Sequence, residues 1–162
     1  MNSTTQLALL WNTLHSAQRS LSHLERELSK MVQSDVERFI VLYRWASWEV
    51  CYPWDGIAVT DLAHLSESST EDFCDWIVSQ GYHAWLYACA QDNHPAQLYA
   101  FRDKSTSFKG FQLGVWSLDV DARYCGYQSP FCLAVRFLQI KFNVDYWEHA
   151  NELHDRYEPV IC

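Results

Sequence analysis

Asp145, His149 and Glu152 stand at i, i+4 and i+7. On a helix that spacing brings two carboxylates and an imidazole to one face, a donor set that a divalent metal accepts. No partner ligand elsewhere completes the set, and helix surfaces carry such triplets by chance, so neither a metal nor another cofactor is expected. His64 and His83 are candidate general bases. The chain has seven histidines, so surface or hydrogen-bonded core roles are the simpler reading of both. Asp119 and Asp121 form a DxD pair of the kind that holds a divalent ion beside a sugar nucleotide. That chemistry sits in a nucleotide-binding α/β domain, and the chain lacks the strand–helix alternation that builds one. Local turn bonding by the two carboxylates is the plainer role. Cys125, between Tyr124 and Gly126, would act as a nucleophile only with a base or cation beside it, and adjacency to Arg123 in sequence does not supply that geometry. GxSxG, P-loop, Rossmann glycine and HExxH patterns are all missing.

The elements that must position these groups read as helices. Leu7, Leu10, Trp11 and Leu14 recur at helical steps behind a cap at Ser3 or Thr4. Leu21, Leu24, Leu28 and Met31 mark a second helix. Ser34 and Glu37 have capping-box spacing ahead of Val36, Phe39, Ile40 and Tyr43, and the helix they open runs to Val50, before Pro53. Residues 54–65 form a shorter apolar segment. The stretch SESSTEDFCDWIVSQG, residues 66–81, combines a second capping box (Ser68 and Glu71), an apolar stripe (Phe73, Trp76, Ile77) and a left-handed stop at Gly81. Asp72 and Asp75 near its start suit the helix dipole. A further helix spans 82–91. Residues 101–128, broken by Gly110, Gly114 and Gly126, are irregular or hold a small β insertion. Helices resume over 130–142 and 144–157.

At 162 residues the chain fits one domain, 1–162, with a helical C-terminal part at about 130–158. The fold class expected is mainly α, with the small irregular or β insertion at about 101–128. A net charge of -8, with 12 Lys and Arg scattered among 20 Asp and Glu, argues against nucleic acid and anionic membrane surfaces as direct partners. No apolar run approaches the ~18 residues of a spanning helix. The start of the chain has no basic segment followed by a small-residue cleavage site, so a cytoplasmic protein is expected. The six cysteines show no CxxC pair and read as reduced, mostly buried thiols. Aromatic residues make up 15% of the chain, which fills a core or supplies a binding surface.

Residues 66–81 also resemble the bacterial family called domain of unknown function 4240. Its signature runs roughly S-D-D-x-F-x-x-F-R-x-W-L-I-x-Q-G, and Ser66, Glu67, Phe73, Trp76, Ile77, Val78, Gln80 and Gly81 fall on matching positions. Trp11, Leu14 and Ala17 resemble the family's opening helix. Val36, Phe39 and Tyr43 resemble its next step, Trp54-Asp55 its Trp-Asp pair, and Trp85 the aromatic that follows the glycine. The order holds over about residues 11–98. The sequence departs from the pattern at Ala63, His64 and Leu65, where the family has Gly-Gly-Cys, and at Ser68, which replaces the second acid. The resemblance implies a helical topology and no particular reaction.

Two functions follow as expectations. The first is a non-catalytic binding or regulatory module for a protein or small-molecule ligand, with Trp54, Asp55, Ser66, Glu67, Trp76 and Gln80 as ligand-binding candidates. The alternative is a carboxylate- and His-dependent hydrolase or transferase at the Trp54-Asp55 and Ser66-Glu67 segments, with His64 or His83 nearby.

Overall fold

A computed structural model describes residues 3–51, 67–90, 106–108, 110–116 and 129–160. Among these residues the expected mainly α fold is present. The helices are α1 (Ser3–Ala17), α2 (Leu21–Ser29), α3 (Gln33–Cys51), α4 (Glu67–Ser79), α5 (Tyr82–Cys89), α6 (Pro130–Phe142) and α7 (Tyr146–Tyr157). Two short strands, β1 (Thr106–Phe108) and β2 (Phe111–Leu113), make the β insertion. Packing divides the chain into two compact units, Met1–Trp45 with Trp116–Cys162, and Ala46–Val115.

In the first unit, the helical stripes become the core. Leu10, Leu24, Leu28, Phe39, Ile40 and Tyr43 are fully buried, and burying each such side chain contributes roughly 1.5–3 kcal/mol. Ser20 caps α2, its Oγ accepting from His23 N at 3.3 Å. The turn before it runs through Gln18 and Arg19, both left-handed at φ 50° and 55°. Ser129 caps α6 with a proline at the first turn, and Asn143 ends it at φ 55°, the usual start and stop chemistry. Rings link three helices: Tyr43 lies 5.9 Å from Phe131, and Phe131 lies 5.5 Å edge-on from Tyr146. Polar ties finish the unit. Lys141 Nζ donates to Ser29 O at 3.1 Å. Gln6 Oε1 accepts from Val160 N at 3.1 Å, and its Nε2 donates to Val160 O at 3.4 Å, which holds Val160 against α1.

One capping box does not form. Ser34 lies inside α3, and the first turn closes on Val32 O instead, which accepts from Asp35 N and Val36 N. Glu37 turns inward. It is buried and accepts from Gln33 Nε2 and Tyr157 OH, both at 3.4 Å. A carboxylate that can meet a phenol and an amide gains more there than at an exposed backbone N–H.

The second unit joins the last turn of α3 to α4, α5 and the hairpin. The indole N–H of Trp85 donates to Ala46 O at 2.9 Å, fixing α5 against that turn. Gly81 ends α4 at φ 101° and starts α5, its carbonyl accepting from Trp85 N at 3.1 Å. Only glycine takes that backbone without strain, and a Cβ there would meet nothing within 4 Å, so the constraint is conformational and not steric contact. The strands pair antiparallel with Phe108 opposite Phe111, around Gly110 at φ 86°. Ser68, expected as a cap, lies within α4, which begins at Glu67. The segment 54–65 and the aspartates of the DxD pair lie outside the described residues.

Candidate functional site

Of the ligand-binding candidates, Trp54, Asp55 and Ser66 lie outside the described residues, and Glu67 enters only as the first residue of α4. Their convergence with the others is therefore not part of the observed geometry. Trp76 and Gln80 sit one turn apart at the end of α4. Gln80 is an architectural clamp: Oε1 accepts from Gly114 N at 2.7 Å, and Nε2 donates to Ser79 Oγ at 2.9 Å. Ser79 Oγ in turn donates to Trp76 O. Both ends of the amide are thus engaged, and the Oε1 end joins the end of α4 to the backbone that follows β2. Trp76 stacks on the buried Phe73 at 5.8 Å and 18°. Its indole N–H is buried with no acceptor among the described residues, and a buried donor left unmet costs about 1–3 kcal/mol.

Asp75, expected to serve the helix dipole, is corrected. It is buried in the middle of α4 and accepts from the buried Ser47 Oγ at 2.6 Å. That is a charge-assisted bond. Among the described residues no imidazole meets Ser47, and the pair reads as a brace between α3 and α4.

The histidines divide by environment. His64 lies outside the described residues. His83 is exposed with its ring 5.6 Å from Tyr82. His149 is exposed, with Nδ1 3.9 Å from Glu152 Oε2. Asp145 does not join them: it caps α7, accepting from Trp147 N at 2.9 Å. No group of three His, Cys, Asp or Glu among the described residues is arranged to hold a metal. Among the described residues His154, which the sequence did not single out, does sit in a network. Its Nε2 is 2.8 Å from Tyr146 OH and its Nδ1 is 3.2 Å from Glu158 Oε2. This resembles an acid–base relay in its connectivity, but Tyr146 is 2% exposed. A hydroxyl so enclosed has no room for a substrate. The relay instead ties the first turn of α7 to its last.

Two cysteines, Cys89 and Cys132, are unlinked. The expectation of reduced thiols is corrected at Cys74, which is buried and disulfide-bonded. The sequence holds no signal for that link, because bridging depends on Cα separation in space and not on spacing along the chain. Burial, with Glu49 nearby, pushes the Cys89 thiol up to about 12 from 9.0. This is the reverse of an activated nucleophile. At pH 8 its thiolate fraction should be about 1,000-fold below that of an ordinary cysteine, since each pH unit is tenfold. A disulfide reagent such as DTNB should label it correspondingly slowly in the native protein. The same effect has a sign in stability. The fold favours the neutral thiol, so its contribution is complete below about pH 8.5 and is lost as pH rises toward 12. Urea midpoints at pH 7 and pH 10.5 check this, with Cys89→Ala expected to remove its share of the fall.

The aromatic residues supply the remaining surface. Trp45, Trp85 and Trp116 are buried, whereas Trp48 is 45% and Trp147 61% exposed. Trp147 is held in place: its ring is edge-on to Tyr146 at 5.0 Å and to Phe131 at 6.1 Å. A guanidinium, that of Arg44, lies 5.3 Å over the far member of this cluster, Phe131. A helical wheel gives a partial sequence signal for the outward indole. Tyr146 and Leu153 share the inner face, and Trp147 is rotated about 100° away. Among the described residues no helix is long and apolar enough to cross a membrane. The chain matches no protein-family model, no curated protein and no solved structure.

Proposed function

We propose that the protein is a non-catalytic binding or regulatory module for a protein or small-molecule ligand. The observation that carries this reading is Trp147, an indole that stays largely exposed while two buried rings hold its orientation. Large aromatic side chains that lose little freedom on contact are the usual anchors of recognition surfaces. The test is native mass spectrometry of protein purified gently from its own host. A retained mass is expected on the wild-type chain and its loss on Trp147→Ala; a bare chain in both cases overturns the reading.

The residues quoted for domain of unknown function 4240 support a further part of the proposal, that residues 11–98 belong to a divergent bacterial member. A solved member whose helices superpose on α3, α4 and α5 in the same order is the expected outcome. A cytosolic setting fits the unlinked Cys89 and Cys132, and the Cys74 disulfide stands against it. Alkylation of the denatured protein taken from its host decides the point. A reducing compartment should give the same number of adducts with and without reductant, and a persistent Cys74 bridge should give two fewer without it.

A further inference from the structure

Helix α7 turns an acidic face outward beside Trp147. Glu148, Asn151, Glu152, Asp155 and Glu158 are all exposed on the arc that begins at Trp147. The cations of this helix are otherwise placed. Arg156 lies 5.7 Å over the Tyr157 ring, His154 is buried, and His149 is paired with Glu152. Glu148 and Asp155 have no ion pair among the described residues. The face therefore offers an indole together with carboxylates that no described residue neutralises, and these two groups attract the same thing. A cation is drawn to the π face of an indole and to a carboxylate alike.

We propose that this face of α7 docks a basic segment of another protein, with an Arg or Lys stacked on Trp147 and the next cations along the segment meeting Asp155 and Glu148. The proposal rests on the binding-module reading and names its partner. Charge complementarity selects the occupant. A second copy of a chain with net charge -8 would place like charges in contact, and nucleic acid or an anionic bilayer would do the same. Among the described residues a small cation would find one exposed ring there, open to water, instead of an enclosing cage. Length agrees with a peptide. The step from Trp147 to Glu158 spans about 16 Å of helix at 1.5 Å per residue, which about five residues of extended chain cover.

Fluorescence anisotropy with the full chain tests this, using a labelled Gly-Arg-Lys-Arg-Lys-Gly peptide and its counterpart with every cation changed to Glu. The wild type should bind the basic peptide, more weakly as salt rises, and not the acidic one. Trp147→Ala should weaken binding about 10-fold, the scale of a desolvated cation–π contact. Trp147→Phe should recover part of that loss. Glu148→Gln with Asp155→Asn should weaken binding about 5-fold and flatten the salt dependence. These positions are exposed, so the variants should keep the wild-type far-UV circular dichroism. Equal affinity for the two peptides overturns the proposal, as does wild-type affinity in both Trp147→Ala and the Glu148→Gln, Asp155→Asn double variant. A retained mass in the native spectrum alongside failure of the basic peptide would overturn the partner class alone. A bare chain together with that failure would overturn the module as well.

Discussion

Phe131→Ala should cost the first unit about 3–5 kcal/mol, the range for deleting a buried phenyl group. For a chain of this length that corresponds to a fall of about 10 °C in midpoint. Phe131 is 2% exposed and makes ring contacts with Tyr43, Tyr146 and Trp147. Tyr43 from α3, Tyr146 from α7 and the guanidinium of Arg44 all touch it, at 5.9, 5.5 and 5.3 Å. Truncation opens a void that a helix capped on both sides cannot collapse into, since Ser129 and Asn143 fix the ends of α6. The effect has a second reading at the surface. Trp147 packs edge-on against the same ring at 6.1 Å, so its indole should lose one of its two supports. The near-ultraviolet circular dichroism of the tryptophans should weaken, and any ligand carried by Trp147 should be held less tightly at temperatures where the variant is still folded. Chemical denaturation with both spectral readouts checks this. Phe131→Leu separates volume from ring geometry, and a loss below 1 kcal/mol in Phe131→Ala would show that α6 is not the packing centre described.

The fold was legible where periodicity alone decides it. Leu21, Leu24 and Leu28, or Phe39, Ile40 and Tyr43, lie inward in the structure because a stripe at helical spacing has only one way to leave water. Helix starts were less legible. Ser34 and Ser68 satisfy a capping pattern, yet Val32 O closes the first turn of α3 and α4 begins one residue ahead of Ser68. A capping box is a local gain of about 1 kcal/mol, and a tertiary partner such as the Tyr157 hydroxyl on Glu37 competes with it. The site was less legible still. Asp75 reads in sequence like any acid early in a helix, and only the arrival of Ser47 from 28 residues away makes it a core group. Gln80 belongs to a signature stretch, but its amide is consumed by Gly114 and Ser79. Trp147 and the Tyr146–His154–Glu158 network depend on which side of α7 faces the ring of Phe131. Spacing narrows that choice, and packing makes it.

Ser47→Ala should destabilise the second unit by about 1.5–3 kcal/mol, more than an ordinary hydroxyl deletion, because the bond it removes ends on a charged group. Ser47 and Asp75 are buried, and the 2.6 Å separation is that of an O–H donating to a carboxylate. Around them the end of α3 and the middle of α4 are apolar: Ala46, Val50, Phe73, Cys74, Ile77 and Val78 are fully buried. In such surroundings a carboxylate that loses a donor cannot recover it from water, so the cost is that of a weakened buried charge and not of a missing contact. Asp75→Asn should cost less. The amide oxygen still accepts from Ser47, so the short bond is weakened instead of lost. The double variant should then be less destabilised than the two single changes added together, by about 1 kcal/mol or more, as expected for residues in direct contact. Hydrogen exchange locates the effect. Amides of α4 should exchange faster in Ser47→Ala while those of α1 and α2 keep their rates. Additive single changes, or a Ser47→Ala loss within 0.5 kcal/mol, would mean that the pair is bridged by something other than its own short bond.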